Sequence, residues 1–413
     1  MSIYQRIVSF VTLPLAVILV ASVMVTSCRS DDQRSNTSVR LKLKNSGGEM
    51  IYLDRVTVDG TARIDSGRVD RQGEVTFHFY TSDFDFLLLG DGHTKPVMLL
   101  AEKGEDITVY SAVGEMGDNY SVRGSGGSSL LHDLEQKKVK TVATLDSIGQ
   151  VWLRVRYDED NMQQKELLDS VADGVIDVHR EWLKEFIERY QESPATIIAV
   201  YQTLRHSVPL LTFQDHLPVF TRVTDILLER YPGNPHVIDL QGRHDLYVRE
   251  YEAYIQREKR LQPGMPAPEI SLVNLEGERV RLSDLEGKYV LLHFWDGRKK
   301  KSWETNSRLK ELYSMYRYRG LEIMGIYVGD DRQMFSDIIG GDQLPWIHLF
   351  SNTGVERDYN VLRKEPQMVL VGRDGKILQR PVDVDELALM LPRLMPSAAV
   401  NVPTNEEPRH NSL

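Results

Sequence analysis

From Glu269 to Met395 short apolar runs alternate with helix-spaced segments, and this alternation constrains the fold more than any other feature of the chain. The runs EISLVNL (with a second short one at RVRL), YVLLHFW, LEIMGIYVG and WIHLF read as strands. Helical patterns follow YVLLHFW, starting from Ser302, and follow LEIMGIYVG, in DRQMFSDIIG. A short helix in GVERDYNVL, a hairpin in QMVLVGRDGKILQR and a last helix in VDELALMLPRLM complete the order. Strands joined by helices imply α/β units, and the late hairpin adds antiparallel strands to the same sheet. The stiff stretch Pro263-Gly264-Met265-Pro266-Ala267-Pro268 marks the entry to this region.

Two differently patterned regions precede it. In SVRLKLKN, EMIYLDRVTV and GEVTFHFY apolar and polar residues alternate between Gly, Asp and Asn turns. One face of such strands packs a core and the other stays wet, so residues 39–124 are expected to form a small antiparallel sandwich. From 125 to 262 apolar residues recur at three and four spacing, as in VADGVIDVHREWLKEFIERY, which predicts an irregular helical region. Pro194, Pro209, Pro218, Pro232 and Pro235 fall at expected helix boundaries. The cluster Gly124-Ser125-Gly126-Gly127-Ser128-Ser129 lacks the Lys-Ser/Thr ending of a phosphate loop and reads as a flexible hinge.

The chain has one cysteine, and its place is informative. Arg6, an apolar run and small residues ending at Val25-Thr26-Ser27-Cys28 follow the order of a secretory signal. An apolar run of about 19 residues would also serve as a membrane span. The ending resembles a bacterial lipobox, which implies cleavage after residue 27 and diacylation of Cys28. Residues 28–38 are then a lipidated tether, and the protein belongs to the cell envelope, held to a membrane (outer membrane, periplasmic or surface side) by lipid. Ser30-Asp31-Asp32 is similar to the export signal of surface lipoproteins in Bacteroidota, and is equally readable as a solvated acidic linker. Residues 399–413 are expected to be a disordered tail.

Residue by residue, the third region resembles the thioredoxin-like family, in its TlpA/ResA branch related to AhpC/TSA proteins. Gly264 to Pro268 corresponds to the family's entry motif, and Leu282-Ser283-Asp284-Leu285 with Gly287-Lys288 to the turn before the central strand. Phe294-Trp295 corresponds to the aromatic pair ahead of the active site, Pro366 to the cis-proline and Asp374-Gly375 to the hairpin turn after it. The resemblance implies a thioredoxin-like domain over residues 263–398. KPVMLLAEKGEDITVYSAV, with YSVRGSGGSSLLHDL after it, similarly resembles a domain of unknown function that precedes thioredoxin modules in Bacteroidota lipoproteins.

The chemistry departs from the family. Counted from Phe294-Trp295, the C-x-x-C of the family falls on Lys299-Lys300-Lys301-Ser302. Thiol–disulfide exchange needs a low-pKa thiolate and a second thiol to resolve the mixed disulfide, and neither is present. His293 on an apolar strand reads as a hydrogen-bonded core residue. No zinc-type Cys/His spacing and no nucleophile motif occur, so neither metal nor cofactor is expected. The net charge of −10 argues against nucleic acid as a partner. What remains is a basic run at a helix start, Arg298, Lys299, Lys300 and Lys301, flanked by Trp295, Trp303 and Pro366. That groove would suit an anionic ligand or an acidic protein surface, unless the run is simply a solvated turn. The expected function is a redox-inactive binding or scaffold module of the envelope. The alternative that the resemblance implies is a thiol-disulfide oxidoreductase or peroxiredoxin-like enzyme.

Overall fold

A computed structural model describes residues 35–155, 162–204, 209–296, 300–329, 332–351, 354–361 and 367–396. The chain divides into two compact units between Tyr251 and Glu252.

The first unit opens with eight strands: β1 (Thr37–Lys44), β2 (Met50–Val56), β3 (Thr61–Arg68), β4 (Glu74–Phe79), β5 (Phe84–Gly90), β6 (Val97–Glu102), β7 (Asp106–Ala112) and β8 (Ser121–Arg123). They form two four-stranded sheets, β4-β1-β7-β8 and β3-β2-β5-β6. Neighbours are antiparallel except β1 and β7, which run parallel from Ser38/Asp106 to Lys44/Ala112. Alternate residues such as Val39, Leu41, Phe77, Leu87, Leu89, Leu99 and Val109 fill the space between the sheets.

The helices form a third layer on this sandwich. They are α1 (Gly126–Val155), α2 (Met162–Arg189), α3 (Ala195–Val200), α4 (Phe213–Arg230) and α5 (Pro235–Arg260). On the outer face of the second sheet, Phe84, Phe86 and Leu100 share one core with Leu131, Leu183, Phe186, Ile197, Phe220 and Val237. This explains why β5 reads FDFLLLG, nearly apolar throughout: both of its faces are covered. The glycine cluster is held tightly, contrary to a flexible hinge. A Cβ on Gly127 would lie 2.5 Å from the Leu100 side chain. The Ser125 and Ser128 hydroxyls both donate to the Leu100 carbonyl at 2.9 Å, fixing the start of α1 against β6. Pro194 and Pro235 stand at helix starts, whereas Pro218 lies inside α4, just past a kink at His216.

The second unit follows the α/β order read from the sequence. A two-stranded ribbon, β9 (Ser271–Val273) with β10 (Arg279–Arg281), leads into β11 (Tyr289–Trp295), α6 (Lys300–Tyr316), β12 (Leu321–Tyr327), α7 (Arg332–Asp342) and β13 (Ile347–Phe350). Then come α8 (Val355–Asp358), β14 (Gln367–Val371), β15 (Ile377–Gln379) and α9 (Val384–Leu394). The five-stranded sheet has the order β13-β12-β11-β14-β15. β11, β12 and β13 are parallel, and β14 and β15 antiparallel. One face packs on Leu309, Tyr313, Phe335 and Leu387, the other on Leu261, Ile270, Leu282 and Tyr359. β11 is thus the central, doubly covered strand, and its C-terminal end presents the start of α6. Among the described residues, the first member of the four apolar cores is Val39.

Candidate functional site

The family resemblance directs attention to the point where β11 hands over to α6. Strand β11 ends at Trp295, and Asp296 follows it, buried. α6 turns its inner face to the sheet through Ser302, Asn306, Leu309, Tyr313 and Tyr316, a 4-3-4-3 spacing. The first two members of this face are polar, which is unusual for a helix laid on a sheet and places two hydrogen-bonding groups beneath its first turns.

Ser302 is fully buried, and its hydroxyl oxygen accepts from the Asp296 backbone N–H at a long 3.4 Å. His293, two strand residues before Trp295 and so on the same face, is also fully buried. Its Nε2 lies 2.9 Å from Asn306 Oδ1. Burial pulls the imidazole pKa down to about 4, against the bond to Asn306, which acts to raise it. The ring is therefore neutral at physiological pH and donates from Nε2. Its Nδ1 and the Asn306 Nδ2 meet no hydrogen-bond partner among the described residues. A core histidine is what the sequence pattern implies; its partner Asn306 was not singled out there. The signal for Asn306 was present in its place four residues after Ser302 on the inner helical face.

Trp295 does not belong to a groove. It is 1% exposed, packed edge-on against Tyr327 with ring centroids 5.2 Å apart and parallel to His293 at 6.4 Å. The cause is the double coverage of β11, which turns both faces of the strand inward, so an aromatic at its end has no wet side. Lys300, Lys301 and Trp303 fall in the first turn of α6. Arg298, Lys299 and Pro366 lie outside the described residues, as does Cys28. Among the described residues no group of His, Cys, Asp and Glu is arranged to hold a metal, and no helix is long and apolar enough to cross a membrane.

A strand–helix–strand–helix–strand path into an antiparallel hairpin, with a helix start at the end of the central strand, is the thioredoxin arrangement. Residues 263–380 match the AhpC/TSA family. The C-terminal domain is thioredoxin-like. Among curated proteins, the thiol-disulfide oxidoreductase ResA of Bacillus cereus is 27% identical over 130 residues, covering 31% of this chain and 75% of that protein. ResA of Geobacillus kaustophilus is 33% identical over 82 residues, 20% of this chain and 47% of the relative. Among solved structures, a thiol-disulfide oxidoreductase from Bacteroides fragilis is 29% identical and covers 31% of this chain and 98% of its own, with a TM-score of 0.30. The thiol-disulfide exchange for which these relatives are named depends on thiols. This chain has a single cysteine, at position 28, far from the region they match.

Proposed function

We propose that the thioredoxin-like domain has lost thiol chemistry and serves as a binding or scaffold module of an envelope lipoprotein, tethered through Cys28. One observation carries the reading: a chain whose only cysteine precedes the domain has no sulfur to attack a disulfide and none to resolve the product. Neither group in the vacated place substitutes. Lys299 is no nucleophile for a disulfide at neutral pH, and Ser302 is a buried hydroxyl that needs a positioned base. The imidazole beneath this helix, His293, has Nε2 committed to Asn306 and no exposure through which to pass a proton. What the helix start offers instead is attraction for anions, from the positive end of the helix dipole and the basic run Arg298 to Lys301 in the sequence. An anionic ligand or an acidic protein surface is the partner this favours.

The test is an assay for silence. The chain from Ser35 onward keeps every core residue among the described ones and is expected to reduce insulin disulfides with dithiothreitol no faster than background, and to turn over no peroxide. Activity above background that survives replacement of the buffer thiol, at even a small fraction of a ResA relative's rate, would return the protein to the oxidoreductases.

A further inference from the structure

At the opposite end of β11 from the vacated site, the chain builds a basic and aromatic corner. α6 runs out into a single 3-10 turn, Arg317–Arg319, closed by Gly320 in the left-handed region. Tyr318 at its crest is 85% exposed, and Met315 beside it 54%. The guanidinium of Arg317 lies 4.6 Å over the Tyr318 ring, and that of Arg319 5.2 Å over Tyr316. Arg373, from the β14–β15 hairpin, lies 5.0 Å over Tyr289 and donates to the Arg319 carbonyl at 3.4 Å. Ring stacking holds all three guanidiniums, leaves the N–H edges of Arg317 and Arg319 for an oxyanion, and leaves Arg373 its N–H groups other than the one given to the Arg319 carbonyl. None of the three has a carboxylate partner among the described residues. The acids nearest in sequence already face lysines, Glu322 with Lys288 at 3.1 Å and Asp374 with Lys376 at 3.9 Å.

We propose that this corner lies against an anionic lipid surface, with Arg317, Arg319 and Arg373 on headgroup phosphates and Tyr318 and Met315 in the headgroup layer. The proposal deepens the envelope-lipoprotein reading and rests on it. Charge decides for an anionic occupant: in a chain of net charge −10 a patch of arginines without carboxylate partners among the described residues draws anions against the net repulsion of the molecule. Shape decides for a lipid over a peptide. The corner is a protruding turn crowned by a tyrosine and a methionine, suited to a broad, soft, wet-to-apolar boundary where amphipathic rings settle. Its pull extends only over a Debye length, about 8 Å at physiological salt, so the tether would bring the domain close and the corner would orient it.

The test uses the chain from Ser35 onward, which has no acyl anchor, so its outcome is independent of whether Cys28 is acylated. Co-sedimentation with phosphatidylglycerol vesicles is expected, with little on phosphatidylcholine vesicles and loss at high salt. The Arg317→Glu, Arg319→Glu double variant is expected to bind about tenfold more weakly or less, while Arg71→Glu, Arg222→Glu, with the same change in net charge on exposed residues of the first unit, binds as the parent does. Absence of binding to anionic vesicles, equal binding to both vesicle types, or full binding by the Arg317/Arg319 variant overturns the proposal. Capture of a poly-glutamate peptide by the parent without vesicle binding overturns it in favour of an acidic protein partner.

Discussion

His293 illustrates how much one buried polar residue demands of its neighbours. Enclosed on the central strand, it has a single described partner, Asn306, and a pKa drawn down to about 4 by burial. In an unfolded chain a histidine titrates near 6.5. Between those values the unfolded chain binds a proton that the folded one refuses, so stability falls as pH drops from about 6.5 toward 4 and is constant above that window. A shift of this size corresponds to roughly 3 kcal/mol at the acid end. His179 in the first unit, with Nε2 2.8 Å from Gln202 Oε1, is likewise drawn down to about 4 by burial and adds a parallel dependence. Comparison of variants isolates His293. His293→Leu strands the Asn306 amide in the core and is expected to cost about 1–3 kcal/mol at pH 7. His293→Leu with Asn306→Leu removes both partners, recovers most of that loss and flattens the acid decline. Urea unfolding of the three proteins at pH 7 and pH 5 reads both effects; a double variant no more stable than the single one would show that the pair is not the coupled unit described.

At the scale of elements, the family match begins at residue 263, but the fold of the second unit begins earlier, in the last turns of α5. Leu261 enters the core beneath the sheet, and Glu258 takes both Arg380 Nη atoms at 2.9 Å. Asn360 donates to Glu258 at 2.7 Å and to the Tyr254 carbonyl at 2.9 Å, and accepts from Arg257 at 2.6 Å. Burial raises the Glu258 pKa, but the hydrogen bonds from Arg380 and Asn360 outweigh it and hold the carboxyl below its usual value. Glu258→Ala leaves Arg380 without its carboxylate and is expected to destabilise the second unit by about 1–3 kcal/mol, the lower end reflecting partial exposure. Glu258→Gln should lose less, and a melting temperature unchanged in both would show the clamp to be idle. Such clamps were invisible in the sequence because local periodicity reports which residues face inward and not what they face. The α/β order from Glu269 to Met395 was legible, since each strand and helix there carries its own period. That the helices and the sandwich share a core was not, because it depends on pairs such as Asn234 with the Phe84 carbonyl and His236 with the Val56 carbonyl, 150 and 180 residues apart. Trp295 misled for a related reason: on a strand covered on both faces, alternation no longer separates a wet side from a dry one.

For the whole molecule, the apolar cores formed by the described residues begin at Val39, and the anchor reading concerns the segment ahead of them. The apolar run alone is compatible with either an uncleaved span or a cleaved signal, and the single cysteine at its end favours the second. One acyl chain gives marginal membrane binding and two give a stable anchor, so a diacylated Cys28 would suffice by itself, with the arginine corner setting orientation. The two readings predict different chemistry. If Cys28 is acylated, the parent incorporates radiolabelled fatty acid and the mature chain is shorter than the translated one by 27 residues. Cys28→Ser then incorporates none and accumulates at full length. If the run is an uncleaved span, the parent is unlabelled, the variant and parent run alike on a gel, and both stay in the membrane fraction. A labelled Cys28→Ser protein of mature length fits neither and would remove Cys28 from the anchor altogether. Because the vesicle experiment uses a chain that lacks this segment, an idle corner and an unacylated cysteine are separately detectable, and either result leaves the other standing.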